Sequence, residues 1–307
     1  MKKILLTILV MFIGITNVNA LNDYVDYLTG NVLGSGYNKT QVRYLQKELN
    51  MTMGCDLDTD GVPGKLTRDC VRSFQTTYGL TVDGLVGSQT RNKLNQLYLE
   101  NKVIVNANTL NIRDNPGTVG TNKIGKVTKG DILTVLGTTY VGSTLWYNVR
   151  YNGIYGYVTS QYVRSTFVEV DIVSQTLRLY VNTELLLDTP VTTGKADGRH
   201  DTNKGYHYVT FKDDDRILQP SGSHVDYWVR FYEPRALGIH DAKWRGTTVN
   251  FNYFGGTRYK QQGAEAGSKY TGSHGCVNVP LPKMPIIYNA VTSPSENPSM
   301  VTPIYVH

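Results

Sequence analysis

Residues 271–278 read Thr-Gly-Ser-His-Gly-Cys-Val-Asn, and this stretch decides what kind of domain the C-terminal part of the chain forms. The thiolate is the reactive form of cysteine, and a nearby imidazole lowers its pKa or accepts its proton. Gly275 lets the backbone bend sharply beside Cys276, which brings N–H groups close to a bound carbonyl and to any oxyanion that develops there. A thiol, a neighbouring histidine and a glycine-bent backbone together indicate acyl transfer through a thioester.

A second informative piece lies upstream, where residues 238–245 read Gly-Ile-His-Asp-Ala-Lys-Trp-Arg and supply His240. Cys276 also has ordinary interpretations, as a small buried hydrophobic residue or as one ligand of a zinc site. Zinc requires three or four ligands, and Cys276 is the only cysteine in this part of the chain. We therefore expect no metal and no organic cofactor, while the residues alone leave a catalytic and a structural Cys276 both open.

The sequence around these pieces, residues 166–307, predicts a mostly β domain with a single core. Short runs alternate apolar and polar residues, which is typical of half-buried strands, and the segment is long enough to bury a core of its own. The predicted strands are Val168–Ile172, Thr176–Val181, Leu185–Val191, Tyr206–Phe211, Tyr227–Phe231 and Thr302–Val306, and one short helix is predicted over Lys283–Ala290.

Residues 38–98 predict a small all-α module of three helices. The segment Val42–Asn50 carries apolar residues at helical spacing. An internal near-repeat follows, because residues 60–67 (Asp-Gly-Val-Pro-Gly-Lys-Leu-Thr) match residues 83–90 (Asp-Gly-Leu-Val-Gly-Ser-Gln-Thr). Each Asp-Gly pair favours a turn, and each turn leads into another helical pattern.

The chain has three cysteines, and their positions predict one disulfide. Cys55 and Cys70 both lie in the helical module, whereas Cys276 lies far away in a different sequence context. A core as small as that of the helical module benefits from a cross-link. We therefore expect a Cys55–Cys70 disulfide, which leaves Cys276 as a free thiol.

Residues 102–165 predict a small β-barrel. Short strand-like runs at Ile132–Leu136, Trp146–Val149 and Gly153–Val158 alternate with Gly and Asn turns. Residues 21–37, which are polar and contain Gly and Asn, are interpreted as a linker that precedes the helical module.

Residues 1–20 have the features of a secretory signal peptide. Lys2 and Lys3 precede an apolar run from Ile4 to Ile15, and small Ala20 marks the expected cleavage site. An uncleaved N-terminal anchor is the alternative, although the apolar run is short for a membrane span. Both interpretations place the rest of the chain outside the cytoplasm, as a secreted or cell-wall protein.

The formal net charge of +6 is spread along the chain without a dense run of Lys and Arg. Such a distribution favours attraction to anionic wall polymers and argues against nucleic-acid binding.

The segment Ser-His-Gly-Cys-Val-Asn at 273–278, preceded by Ile-His-Asp-Ala-Lys-Trp-Arg at 239–245, resembles the catalytic motif of bacterial L,D-transpeptidases. The doubled Asp-Gly turns, with Ser-Phe-Gln at 73–75, resemble a bacterial peptidoglycan-binding domain. Leu-Asn-Ile-Arg-Asp-Asn-Pro at 110–116 resembles the opening of bacterial Src-homology-3-type domains, which bind wall peptides or act as spacers. This architecture implies a cell-wall enzyme that takes part in wall biogenesis and cell shape.

The resemblance implies a role for each motif residue. Cys276 corresponds to the nucleophile, His240 to the general base, and His274 to a residue that shapes the site. Ser273, Gly275 and Asn278 correspond to supports of the turn, and N–H groups near Gly275 and Cys276 would form the oxyanion hole.

The family attacks a tetrapeptide stem after its third residue, releases the terminal D-residue, and passes the acyl group to an amine of a neighbouring stem, which gives a 3→3 cross-link. Water as the acceptor would make the enzyme an L,D-carboxypeptidase or endopeptidase, and a non-catalytic wall-binding protein is a third interpretation. The expected partners are peptidoglycan stem peptides and glycan, and acylation by a carbapenem is a further expectation of the resemblance.

Two features lie outside the motif. The segment between Asp241 and Gly272 is longer than in the family, and residues 247–253 and 263–269 are interpreted as loops that form a lid or pocket wall. The expected lining of the substrate groove is Tyr227, Trp228, Trp244 and Arg245, with Arg245 as a carboxylate contact.

Overall fold

The computed structural model describes residues 32–98, 100–172, 175–195, 197–219, 221–245 and 272–307. The expected signal peptide and the two expected lid loops, 247–253 and 263–269, lie outside the described residues. Within the described part of the chain, no helix is both long and apolar enough to cross a membrane.

The N-terminal module is helical, as the sequence predicts. Its helices are α1 (Lys39–Met53), α2 (Lys65–Thr77) and α3 (Ser88–Tyr98). Each helix turns an apolar stripe inward, because residues spaced by three or four positions share one face. The fully buried core positions include Leu45 and Leu49 of α1, Phe74 of α2, and Leu94 of α3.

The two Asp-Gly turns of the near-repeat are held by equivalent glutamines. The amide nitrogen of Gln75 donates to the carboxylate of Asp83 at 2.8 Å and to the carbonyl of Leu85 at 2.8 Å, while its oxygen accepts from the Gly84 N–H at 2.9 Å. Gln46 makes the same set of bonds to the first turn, including one at 2.9 Å from the Gly61 N–H. The repeat is thus a repeat of hydrogen bonding as well as of sequence.

Cys55 and Cys70 form a disulfide, with their Cα atoms 6.2 Å apart. The bond ties the chain after α1 to the middle of α2. Cys276 is the free cysteine of the described residues.

The second module is a seven-stranded sheet with strand order β3-β2-β6-β5-β4-β1-β7. Its strands are β1 (Lys102–Val105), β2 (Thr109–Arg113), β3 (Lys123–Thr128), β4 (Ile132–Val141), β5 (Thr144–Tyr151), β6 (Ile154–Thr159) and β7 (Val163–Arg164). The strand-rich character that the turn pattern predicts is confirmed. The predicted runs Ile132–Leu136 and Trp146–Val149 fall within β4 and β5, and the run Gly153–Val158 overlaps β6 from Ile154 onward.

The C-terminal domain consists mostly of β-strands, which confirms the sequence prediction. One sheet has the order β10-β9-β8-β16-β11 and the other has the order β12-β13-β14-β15. The first sheet contains β8 (Phe167–Asp171), β9 (Thr176–Val181), β10 (Glu184–Pro190), β11 (Gly205–Tyr208) and β16 (Pro303–Val306). The second contains β12 (Phe211–Leu218), β13 (Ser223–Tyr232), β14 (Leu237–Asp241) and β15 (Val277–Val279).

A single apolar cluster joins the two sheets, with Val168 and Leu177 from the first and Val229, Ile239 and Val277 from the second. The short helix α4 (Met284–Ala290) packs against this cluster through Met284 and Ile287. Since the inward residues of β14 and β15 belong to the core, their alternate residues face the opposite side of the second sheet.

A buried ionic cluster connects the helical module to the C-terminal domain. The fully buried guanidinium of Arg178 on β9 donates to Glu48 of α1 at 2.6 Å and to Asp188 at 3.4 Å. Removal of a charged partner from such a site leaves a buried charge uncompensated, which is strongly destabilising. Arg178 therefore fixes the position of α1 on the first sheet.

Candidate active site

The candidate site lies on the face of the second sheet that is turned away from the core. In the parallel pair β14 and β15, His240 is opposite Asn278 and Ile239 is opposite Val277. Trp228 of β13 is opposite His240 on the other side. Since side chains alternate along a strand, His240, Asn278 and Trp228 project to one face while Ile239 and Val277 project into the core. Cys276 precedes β15 and joins the first group.

Burial controls the chemistry of the Cys276 thiol. The side chain is half-buried, and desolvation raises its pKa to about 11. Two weaker influences lower the pKa: a hydrogen bond from the backbone N–H of Gly238 and the positive charge of Arg235. At neutral pH the thiol is therefore almost entirely protonated, and its reaction with an electrophile requires a base that removes the proton.

His240 lines the same cavity as Cys276, and its ring is oriented by a backbone carbonyl. Its ring is buried, and Nδ1 lies 2.7 Å from the backbone carbonyl oxygen of Asp241. A carbonyl oxygen only accepts hydrogen bonds, so Nδ1 carries the proton and Nε2 carries the lone pair of the neutral ring. The Trp228 ring stacks on the imidazole at 5.5 Å between centroids, and the Trp244 ring lies 5.8 Å away.

Gly275 occupies a position that only glycine fits. Its φ of +112° lies in the left-handed region, and a Cβ there would stand 2.9 Å from Leu237 and 3.1 Å from the carbonyl oxygen of Asp201. Ser273 closes the turn, since its hydroxyl donates to the carbonyl of Cys276 and accepts from the Gly275 N–H at 3.0 Å. The turn is therefore fixed by the hydroxyl of its own serine and by the packing around Gly275.

The segment after β10 holds the motif in place. The backbone of Thr192 pairs with that of Asn278 at 2.8 and 3.0 Å, and the N–H of Ser273 donates to the carbonyl of Thr193 at 2.9 Å. The N–H of Lys195 donates to the carbonyl of Ser273 at 3.1 Å. The cysteine turn is therefore framed by β14 on one side and by residues 192–195 on the other.

Arg235 is a residue of the site that the sequence did not reveal. Its guanidinium donates to the carbonyl oxygens of Asp201 at 2.9 Å, Arg199 at 2.9 Å and His274 at 3.2 Å. It lies in the turn between β13 and β14 and matches no motif spacing, so only the assembled fold brings it to Cys276. Arg235 thus ties the 199–201 loop to the cysteine turn.

His274 lies at the exposed edge of the site beside a second histidine. Its ring is 4.7 Å from that of His200, whose Nδ1 is 2.7 Å from the carboxylate of Asp197. Burial is the main cause of a lowered pKa at His274, and the positive charge of Lys195 adds to it. His274 is consequently biased toward its neutral form, and His200 is a neighbour that the sequence did not identify.

These residues surround one cavity of about 440 Å³. Of the residues predicted from the sequence, Cys276, His240, His274, Ser273, Asn278, Trp228 and Trp244 line it. Lys195 and Arg235 line it as well, together with Leu218, Gln219 and Ser223. The cavity therefore holds the thiol and the oriented imidazole in one volume, while the predicted Gly275 shapes the adjoining turn and is not part of the lining.

The predicted groove role of Tyr227 is not what the structure displays. Tyr227 precedes Trp228 on β13, so its side chain projects to the other face, where its ring lies 5.2 Å from that of Tyr288. It packs against the core cluster and is absent from the cavity lining.

The side chain of Arg245, the predicted carboxylate contact, lies outside the described residues. Across the described ranges, no group of His, Cys, Asp and Glu side chains is arranged to hold a metal ion.

Comparisons with known families match three segments of the chain. Residues 165–306 match the L,D-transpeptidase catalytic domain, residues 38–94 a putative peptidoglycan binding domain, and residues 108–164 a bacterial SH3 domain. No curated protein sequence matches the chain.

Similar solved structures include the catalytic domain of an L,D-transpeptidase from E. faecium, with 28% identity over 46% of this chain and 96% of that one, at a TM-score of 0.34. The same domain acylated by ertapenem has 26% identity over 47% and 97% of the two chains, at a TM-score of 0.32. An L,D-transpeptidase from Mycobacterium smegmatis has 19% identity over 59% and 72%, at a TM-score of 0.34.

Proposed function

We propose, from the premise that residues 165–306 are an L,D-transpeptidase catalytic domain, that the chain is an exported peptidoglycan L,D-transpeptidase. One observation carries the assignment of its chemistry: Cys276 shares a cavity with His240, whose Nδ1 is fixed on the carbonyl of Asp241 at 2.7 Å. A half-buried thiol with a raised pKa is inert alone, and an imidazole that presents its lone pair supplies the missing base.

The first half-reaction forms a thioester. Nε2 of His240 accepts the thiol proton as the sulfur of Cys276 attacks the carbonyl carbon of the third stem residue. The tetrahedral intermediate collapses with cleavage of the C–N bond, and His240 returns the proton to the leaving amine of the D-residue. The acyl group of the stem then remains on Cys276.

The oxyanion is assigned to the backbone N–H of Cys276, because the N–H of Gly275 already donates to the Ser273 hydroxyl at 3.0 Å. That bond and the φ of +112° at Gly275 hold the turn in a fixed shape, so the Cys276 N–H does not have to reorganise during the reaction. Such preorganised donors account for a large part of catalysis in acyl transfer. His274 and Asn278 are assigned to shaping the same volume.

The second half-reaction transfers the acyl group to an amine of a neighbouring stem. His240 accepts a proton from this amine as it attacks the thioester, and the sulfur leaves with that proton to regenerate the thiol. The product is a 3→3 cross-link. We further propose that a carbapenem acylates Cys276, because its strained carbonyl is an electrophile for the same thiol.

The front of the chain is assigned to delivery of the catalytic domain to the wall. We infer that residues 1–20 are a signal peptide cleaved after Ala20, that residues 21–37 are a linker, and that residues 38–98 are a three-helix peptidoglycan-binding domain. Residues 102–165 are assigned as a Src-homology-3-type barrel and residues 166–307 as the catalytic domain. The matches to peptidoglycan binding and bacterial SH3 domains support a cell-wall location.

A product assay tests the proposal. The mature protein is incubated with a purified disaccharide-tetrapeptide, with and without a second stem that offers a free amine. We expect release of the D-residue and a cross-linked dimer that appears only with the amine acceptor, with both products absent for Cys276→Ala. Release without any dimer would replace transpeptidation by carboxypeptidase activity. Neither product from the wild type would leave a wall-binding role only.

A further inference from the structure

In the part of the chain that the structure describes, the cavity beside Cys276 is lined by basic side chains and by no acidic ones. Two basic side chains line it, those of Lys195 and Arg235, and among its described lining residues there is no Asp or Glu. Within the same described residues, neither cation forms a salt bridge with a carboxylate. A cleft with one sign of charge attracts ligands of the opposite sign.

The two cations lie beside the cysteine turn, residues 273–276. The Nη2 atom of Arg235 is 3.0 Å from the position that a Cβ of Gly275 would occupy, and it donates to the carbonyl of His274 at 3.2 Å. The backbone N–H of Lys195 donates to the carbonyl of Ser273 at 3.1 Å, and after burial the positive charge of Lys195 is the next cause of the lowered pKa of His274. Both cations therefore adjoin the turn that carries Cys276.

One carboxylate of a tetrapeptide stem must come close to the cysteine turn whenever the scissile amide is in position for attack. A single carbon atom separates the α-carboxylate of its terminal D-residue from the nitrogen of the scissile amide. A carboxylate on the side chain of the third residue sits several bonds away on a flexible chain. Since both cations adjoin the cysteine turn, whose thiol attacks the scissile carbonyl, the nearer carboxylate is the one that fits their position.

We infer that Lys195, assisted by Arg235, binds the terminal α-carboxylate of the leaving D-residue and so makes the enzyme selective for stems that end next to the scissile bond. This inference rests on the proposed function and adds the group that recognises the donor. The cations also offset the repulsion between that carboxylate and the thiolate that forms at Cys276. Arg235 additionally positions the cysteine turn through its three carbonyl bonds, so Lys195 is the residue that tests recognition separately.

The test uses the full mature chain and two ligands that differ in one group: a disaccharide-tetrapeptide with a free terminal carboxylate, and the same molecule as its terminal amide. Binding is measured by calorimetry on Cys276→Ala, which cannot turn over either ligand. We expect the acid to bind about tenfold to about a hundredfold more tightly than the amide, as a charge-assisted hydrogen bond allows. Lys195→Met in this background should bring the ratio close to one, and Lys195→Arg should restore most of it.

Lys204→Met is the matched control, because Lys204 is an exposed lysine of the same domain that does not line the cavity. The inference is overturned if acid and amide bind alike to Cys276→Ala, or if Lys195→Met weakens both ligands equally. It is also overturned if Lys195→Met weakens the binding only of stems whose third residue carries a carboxylate on its side chain. Release of the D-residue by the wild type is measured in parallel. Its absence would count against the proposed chemistry, while the binding ratio alone decides on the carboxylate site.

Discussion

The turns of the helical module and the cysteine turn of the catalytic domain both bend at glycines, but they are held in different ways. Gly61 and Gly84 each donate to one glutamine, Gln46 or Gln75, and each glutamine makes the same bonds to its own turn. Gly275 is packed instead between Leu237, Arg235 and the carbonyl of Asp201. The first arrangement is local and repeated, whereas the second is assembled from separate segments of the domain.

This difference separates what stabilises a module from what positions a reaction. A local turn needs only its own helix and glutamine, so damage to it should remain in the helical module. The cysteine turn depends on β14, on residues 192–195 and on the 199–201 loop, so damage to any of them should reach Cys276. The predictions below test this separation.

The largest effect is expected at His240. We expect His240→Ala to lower the rate of D-residue release by about a hundredfold to about ten-thousandfold, because the protonated thiol loses its base. The measurement is steady-state release from a tetrapeptide stem. His224→Ala is the control, since His224 is an exposed histidine of the same domain outside the cavity. Equal activity of both variants would remove His240 from the mechanism.

Alanine substitutions at Gly275 and Gly61 should have separate effects, the first on the reaction rate and the second on the stability of the helical module. In Gly275→Ala the new Cβ meets Leu237 at 2.9 Å at a φ of +112°, and the resulting shift should cost about a hundredfold in rate. In Gly61→Ala the Cβ meets the carbonyl oxygen of Lys39 at 2.6 Å, which should destabilise the helical module and leave the rate unchanged. Thermal unfolding and D-residue release are measured on both. A slow Gly61→Ala enzyme that is fully folded would contradict the separation.

The pH dependence of alkylation tests the buried thiol itself. Because burial raises the pKa of Cys276 to about 11, the thiolate fraction should still rise about tenfold per pH unit between about pH 7 and about pH 9. A free cysteine, with a pKa of about 8.5, levels off at the upper end of that range. The rate of iodoacetamide labelling at Cys276 is followed by peptide mass analysis. A plateau below about pH 8 would mean that the thiol is already activated in the free enzyme.

The smallest effect is expected at Gln75, and it should appear in stability only. Gln75→Ala removes the oxygen that accepts from the N–H groups of Asp83 and Gly84, and the amide nitrogen that donates to Asp83, Leu85 and Thr90. This loss should lower the free energy of unfolding by about 2 kcal/mol. Gln96→Ala, at an exposed position of α3, is the control and should have little effect. Denaturant unfolding gives the stability, and labelling of Cys276 gives the state of the site. A changed labelling rate of Cys276 in folded Gln75→Ala would mean that the helical module and the cysteine turn are coupled.

Sequence patterns predicted most of what is local in this molecule. Helical spacing over Val42–Asn50 predicted the helix that buries Leu45 and Leu49, and the motif singled out Cys276 and His240, which line one cavity. Three strands of the C-terminal domain were missed. The strand β12 is a polar edge strand rich in Asp, β14 is buried throughout and lacks alternation, and β15 has only three residues.

What could not be predicted is set by the tertiary assembly. Lys195 and Arg235 reach the cavity only because the end of β10 and the turn before β14 meet the cysteine turn. The neighbouring pair Tyr227 and Trp228 makes the same point, because side chains on a strand alternate and only one of the two can face the cavity. The register of β13 against β14 places Trp228 opposite His240, on the face of the sheet that borders the cavity. This register cannot be read from composition alone.

The most direct test of a thioester on Cys276 is intact-mass spectrometry of the mature protein after incubation with a disaccharide-tetrapeptide, with Cys276→Ala alongside. We predict a mass increase equal to the stem without its terminal D-residue on the wild type, and none on the variant. An adduct of the same mass on Cys276→Ala, or D-residue release by that variant, would contradict Cys276 as the nucleophile.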